Sequence, residues 1–289
     1  MQENGEGIAL EKRVNVWVFM FVAYGFSWLF WIPDALIAQG LWDAPSGIQQ
    51  ILSGPFNLGP WGPLVAAFVV TFAYQGTAGV KDLGRRGLQF RLGKWWWMIL
   101  LLFPALIGGA LLLAIALGEP VPEFPALAQP MALPIVLVYM FFLTGPLQEE
   151  FGWRGVVFEN LRGRHYALTA AIVAGLMWGF WHLPLFFVPR EEYYYNRPIW
   201  GLLLTTTLVG IILAVFYANT RRSVFAAMLG HTMFNWSNYV FPTLGSDLAS
   251  LILFGFYFIV VAVLLWRCGI RSFICTDEAR QDASGQVPV

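Results

Sequence analysis

The segment Trp95–Leu117 reads WWWMILLLFPALIGGALLLAIAL and carries no charged residue. At about 1.5 Å of rise per helical residue it is long enough to cross a hydrocarbon core about 30 Å thick. Its three tryptophans stand together at one end, as in the aromatic belts that mark a membrane–water boundary. On both sides of this segment the pattern recurs. Apolar runs of spanning length occupy roughly 14–39, 58–75, 95–117, 132–160, 167–188, 198–219, 223–242 and 248–267, with short polar gaps between them. The expected fold is therefore all-α: a polytopic membrane protein of about eight transmembrane helices.

Composition agrees. Hydrophobic residues make up 58% of the 289 and charged residues 12%, against about 25% charged in a soluble domain. The formal net charge is zero, so no nucleic-acid partner is implied. Residues 1–13 read as a polar cytoplasmic segment, and the run that follows is too long for the apolar part of a cleavable signal. Residues 14–267 read as one transmembrane domain with a catalytic core at about 140–240, and 268–289 as a cytoplasmic, disordered tail. Cys268 and Cys275 match no metal motif, and a reducing cytoplasmic face leaves them as thiols. Ile48, Ile51 and Leu52 recur at helical spacing, as in a short interfacial helix over 46–56.

Basic residues set the orientation. Fourteen Lys and Arg fall on one side of the eight spans, and only Arg190 and Arg197 on the other. The richer side is cytoplasmic, so both termini are expected inside. Arg154 is left within a span.

Ionisable groups in hydrocarbon cost at least about 2.5–3.5 kcal/mol each on insertion scales. This chain nevertheless has Gln148, Glu149, Glu150 and Arg154 in its fourth span, His182 in its fifth, and His231 and Asn235 in its seventh. Glu150 and Arg154 are four apart and share a helix face, so they can pair. Glu149 is rotated about 100° from Glu150 and has to find partners elsewhere. His231 and Asn235 also share a face. The economical arrangement points Glu149, His182 and the His231/Asn235 face at one cavity. Counting rise alone leaves Glu149, His231 and His182 about 16, 12 and 22 Å from the cytoplasmic ends of their helices. Tilt and a kink at Gly145-Pro146 have to bring them level.

A glutamate shielded from water is a stronger base than one in solvent. A histidine beside it can hold and polarise a water. A His/Asn pair can donate hydrogen bonds to the oxyanion formed when that water attacks a carbonyl. This is a set for amide hydrolysis without a nucleophilic Ser or Cys. Two Glu and two His also suit a divalent metal such as zinc, with Glu149, His182 and His231 as ligands. The plainer readings are structural: Glu150–Arg154 as an ion pair that braces the bundle, and Trp178, four before His182, as packing. A transporter or proton-coupled carrier also uses buried Glu, His and Arg, but tends to show an internal repeat, and none is visible. A catalytically silent membrane scaffold is the remaining alternative.

Gln148-Glu-Glu-Phe-Gly-Trp-Arg-Gly155 resembles the EExxxR motif of the CPBP family, the CAAX proteases and bacteriocin-processing enzymes. Trp178–His182 resembles its FxxxH motif, with Trp in the aromatic position, and His231–Asn235 its HxxxN motif. The order of the motifs also matches, while the first three spans resemble the family only in being hydrophobic. The resemblance implies an eight-helix intramembrane endopeptidase. In it Glu149 activates water with His182, His231 and Asn235 stabilise the oxyanion, and Glu150, Arg154 and Trp178 support them. It implies a membrane-anchored protein or peptide as substrate, acted on in the lipid bilayer, and a scheme that works without bound metal. It fixes neither the oligomeric state nor whether the substrate is prenylated.

Overall fold

A computed structural model describes residues 13–54 and 57–275. The polar N-terminal segment before Arg13 and the tail from Thr276 lie outside the described residues. The described chain is helical, with no strand. Helices α1 (Val16–Ala38), α2 (Ser46–Ser53), α3 (Gly62–Gly87) and α4 (Trp95–Ala116) come first. The fourth span is divided into α5 (Leu133–Leu143), α6 (Pro146–Gly152), a π-helical turn (Trp153–Phe158) and α7 (Glu159–Arg162). Then come α8 (Ala167–Trp181), α9 (Ile199–Asn219), α10 (Val224–Val240) and α11 (Asp247–Cys268).

Seven helical stretches among the described residues are long and apolar enough to cross a membrane. The eighth expected span, 223–242, is α10, a helix of 17 residues that Ser223 caps by accepting a hydrogen bond from the Ala226 amide. The expected short helix over 46–56 is α2.

Three boundaries differ from the sequence reading, each for a local reason. The second span was expected to end at residue 75. Gly76 does take a left-handed φ of 65° there, but the chain resumes as helix to Gly87, so the basic residues that follow lie on a helical arm. The kink expected at Gly145-Pro146 is a full break. Gly145 adopts φ 116°, Pro146 starts α6 at its first position, where a missing N–H costs nothing, and the Gln148 side chain accepts from the Gly145 amide at 2.7 Å. The fifth span ends early: α8 stops at Trp181, because Pro184 disfavours helical backbone just before it, and His182 becomes the capping residue.

The segment after α11 differs as well. Cys268 and Cys275 form a disulfide instead of two free thiols. Gly269, at φ 69°, turns the chain back, and Asn219 accepts from the Cys275 amide while donating to the Phe273 carbonyl. These contacts carry Cys275 against Cys268. Residues 268–275, read as tail, are thus packed. The carbonyls of Ile270 and Arg271 accept from the first amides of α8, at Leu168 and Ala167, and Phe273 is buried.

With no apolar solvent difference to drive helices together in lipid, close approach over small residues matters. Helices α8 and α9 meet this way: a β-carbon at Gly175 would stand 2.7 Å from the Thr207 Cα and 2.9 Å from the Thr206 carbonyl. Helix α1 grips the far end of α8 from the other side. Trp181 Nε1 donates to Ser27 Oγ at 2.7 Å, and Trp28 Nε1 donates to the Trp181 carbonyl at 3.0 Å.

Candidate active site

The break at Gly145 lets α6 start inside the bundle, so both glutamates sit within its short length. Both are buried, Glu150 completely and Glu149 to 5% exposure. Their partners differ. Glu150 Oε1 accepts from Arg154 Nη1 at 2.8 Å and from His231 Nδ1 at 2.9 Å. The Glu150–Arg154 pair expected from i,i+4 spacing is therefore present, although Arg154 lies in the π turn. Glu149 Oε2 accepts from the indole N–H of Trp178. Its other oxygen lies against Gly145, where a β-carbon would be 2.5 Å from Oε1 and 3.7 Å from Cε1 of His231. Glycine at 145 thus serves two ends: it permits the left-handed backbone and leaves space for the carboxylate.

Trp178 is the hub of the cluster. Its ring meets His231 edge-on at 5.0 Å, and the Arg154 guanidinium lies 4.6 Å from its centroid. His182 is 6.3 Å away by ring centroids, and its Nδ1 bonds the Trp178 carbonyl at 3.0 Å. Trp178 is therefore more than the packing residue that its spacing suggested, since it holds the carboxylate directly. Asn235, half-buried, donates one amide N–H to the Thr144 carbonyl at 3.2 Å, across the break. Side chains expected at depths differing by about 10 Å by rise alone meet around Trp178.

Hydrogen-bond chemistry assigns the free nitrogens. A backbone carbonyl only accepts, so His182 Nδ1 carries the proton. In the neutral ring Nε2 is then an acceptor able to hold a water. His231 Nδ1 donates to the Glu150 carboxylate, which leaves its Nε2 toward the shared space. That nitrogen donates only when the ring is an imidazolium. Asn235 retains a second amide N–H beyond the one given to Thr144.

Among the described residues no three His, Cys, Asp or Glu side chains gather in a group that could hold a metal ion. His182 and His231 each turn Nδ1 to another partner, and Glu149 is held by Trp178.

Several positioning residues were not legible as such. The π turn is braced from α3: Arg86 Nη1 donates to the Gly155 carbonyl at 2.9 Å and to the Tyr217 hydroxyl at 2.7 Å. Tyr217 in turn donates to Glu159, which pairs with Arg162 and Arg222. On α1 the signal was available in outline. Tyr24, Ser27, Trp28 and Trp31 follow i, i+3, i+4, i+7 spacing on one face, and Trp31 meets Trp181 at 4.5 Å.

A model of the family described as type II CAAX prenyl endopeptidase Rce1-like matches residues 131–237, a stretch that holds every residue of the cluster from Gln148 to Asn235. Over that stretch this chain is similar to the CAAX-protease family. A relative, CAAX prenyl protease 2 of Methanococcus maripaludis, is 25% identical over 231 residues, covering 77% of this chain and 83% of that protein. The family match begins near α5, yet the relative's alignment covers far more of the chain than the matched stretch. The family match agrees with the apolar helices in making the chain an integral, multi-pass membrane protein.

Proposed function

We propose that this protein is an intramembrane endopeptidase that hydrolyses a peptide bond of a membrane-anchored protein through a water activated by Glu149 and His182. The observation that carries this reading is the unequal pairing of two adjacent buried carboxylates. Glu150 takes the Arg154 guanidinium and the His231 ring on its Oε1, whereas the hydrogen bond to Glu149 comes from a neutral donor, the Trp178 indole. A carboxylate with no cation bonded to it in a water-poor site suits proton abstraction.

In this scheme a water lies between Glu149 Oε1 and His182 Nε2. Glu149 takes its proton as the oxygen attacks the scissile carbonyl. The oxyanion is met by the free amide N–H of Asn235 and by Nε2–H of His231 in its imidazolium form, which Glu150 holds in place. The proton on Glu149 then passes to the leaving amine. Preorganised donors of this kind are each worth about 10²–10³-fold in kcat where they have been removed.

The substrate class proposed takes its lead from the names of the matched family and the one relative: a protein whose C-terminus ends in a prenylated Cys followed by a short tail. The test is reconstitution of the full chain in liposomes with a farnesylated fluorogenic peptide ending in Cys-aliphatic-aliphatic-X. Cleavage by the wild type and none by Glu149→Gln supports the reading. Equal cleavage by both, or by neither, overturns it. The same reading has both termini cytoplasmic, from the basic-residue asymmetry. A reporter fused at the C-terminus that reads external would refute that orientation.

A further inference from the structure

The segment between α8 and α9 crosses the end of the bundle at which His182 sits. It is a run of turns: the Glu191, Tyr194 and Arg197 amides donate to the carbonyls of Val188, Glu191 and Tyr194. It is tied down at three places. Arg190 pairs with Asp34, a carboxylate of α1 that is itself buried and accepts also from Ser53 at 3.3 Å. Gln39, just after α1, donates to the Phe187 carbonyl at 2.7 Å, and Arg197 donates to the Leu244 carbonyl at 3.1 Å.

Tyr194 points inward from this strap. Its ring lies nearly parallel to the His182 imidazole, 5.2 Å between centroids at 20°. Trp31 of α1 is also nearly parallel to that imidazole, at 6.2 Å and 18°, and Trp181 meets it edge-on at 4.7 Å. Phe186 backs Tyr194 at 5.8 Å. The contact matters because a histidine's second torsion is soft and broad. The His182 side chain has one hydrogen bond to protein, to its own helix, and the residue caps that helix. The bond at Nδ1 fixes the tautomer only while the ring keeps its plane, and one bond does not by itself hold that plane. Aromatic faces fix the plane. The Tyr194 hydroxyl belongs to the same neighbourhood: burial, and then the negative charge of Glu149, push it above the ordinary phenol range.

We propose that Tyr194 is a positioning residue for the reaction, its ring and that of Trp31 holding the His182 imidazole in plane, with the strap latched onto α1 through Arg190 and Asp34. This rests on the reading of His182 as a partner of Glu149. The clamp itself is a statement about ring order and can be tested apart from turnover.

Two measurements on the full chain in detergent separate the cases. The first is steady-state cleavage of the farnesylated peptide. The second is the imidazole nitrogen spectrum of protein labelled at its three histidines, with His182 assigned by its loss in His182→Asn. In Tyr194→Leu, kcat is expected to fall about 10- to 100-fold, the scale set by small misplacements of reacting groups, with KM held within about twofold because substrate binding is not the lesion. The His182 signal changes from one tautomer to an exchanging mixture. Tyr194→Phe keeps the ring and rescues both readouts. Asp34→Asn loosens the latch without altering Tyr194 or any group of the site, and moves both readouts the same way by less; it stands in if Tyr194→Leu does not fold. An unchanged His182 signal in both Tyr194→Leu and Asp34→Asn overturns the clamp. So does a Tyr194→Phe variant as defective as Tyr194→Leu, which would put the weight on the hydroxyl. Should the wild type leave the peptide intact while His182 still loses its single tautomer in Tyr194→Leu, the peptidase reading falls and the clamp stands.

Discussion

Glu149 and Glu150 are consecutive residues of one short helix, yet they lie in two different regions of the site. Around Glu150 the donors are a cation and a ring nitrogen: the Arg154 guanidinium on the same helical stretch and the His231 imidazole from α10 both donate to Oε1, while Oε2 is buried without a partner. Around Glu149 the pairing is sparse, with one indole N–H on one oxygen and a glycine beside the other. A 100° rotation per residue is enough to separate them. Charge buried with its counter-charge holds a structure in register, whereas charge buried with few partners remains available for chemistry.

The sharpest way to break this contrast is to exchange the two residues' fates. Glu149→Gln keeps volume and removes basicity. Cleavage of the farnesylated peptide is expected to drop by about 10²–10⁴-fold, with the melting temperature in detergent near that of the wild type. Near-normal cleavage would move the base elsewhere.

Glu150→Ala should act in the opposite manner. It strands Arg154 in the interior at a cost of about 3–5 kcal/mol, read as a lowered melting temperature. Adding Arg154→Ala is expected to recover part of that loss without recovering full activity, since His231 has still lost its acceptor. If the double variant is no more stable than Glu150→Ala, the two side chains are not a coupled pair.

Trp178→Phe probes the sparse side more gently. It keeps most of the ring and deletes the N–H that holds Glu149, a charge-assisted bond worth about 1.5–3 kcal/mol. Activity is expected to fall more than stability. A variant with unchanged kcat would reduce Trp178 to packing. The smallest expected effect lies further out, at Arg86. Arg86→Met leaves the Gly155 carbonyl of the π turn without its donor, at about 1 kcal/mol. The register of Glu150 and Arg154 is expected to loosen, seen as faster amide exchange across 153–158 with a modest loss of rate. Unaltered exchange there would show that the turn holds itself.

Much of this was open to reading in the chain. Eight apolar runs followed from length and charge alone, and the seven stretches of spanning length plus the 17-residue α10 correspond to them. The Glu150–Arg154 pair was foreseen because i,i+4 neighbours share a face whatever surrounds them, and the three motifs pointed to the family whose model matches residues 131–237. The ends of elements were less legible. A glycine in the left-handed region can stop a helix, as at Gly145, or only bend it, as at Gly76, and packing around each decided which. The disulfide of Cys268 and Cys275 escaped a reading based on compartment because the returning segment is held by Asn219, which is 49 residues earlier than Cys268 in the sequence.

The sequence by itself determined that this chain is a helical membrane protein, which residues carry charge into the apolar interior, and which of them share a helix face. Those are consequences of composition and of a fixed 3.6-residue period. Only the tertiary structure decided that His231 faces Glu150, that Trp178 holds Glu149, and that Tyr194 and Trp31 flank His182. Contacts between separate helices depend on break angles, crossing distances and side-chain rotamers, and no local period encodes them.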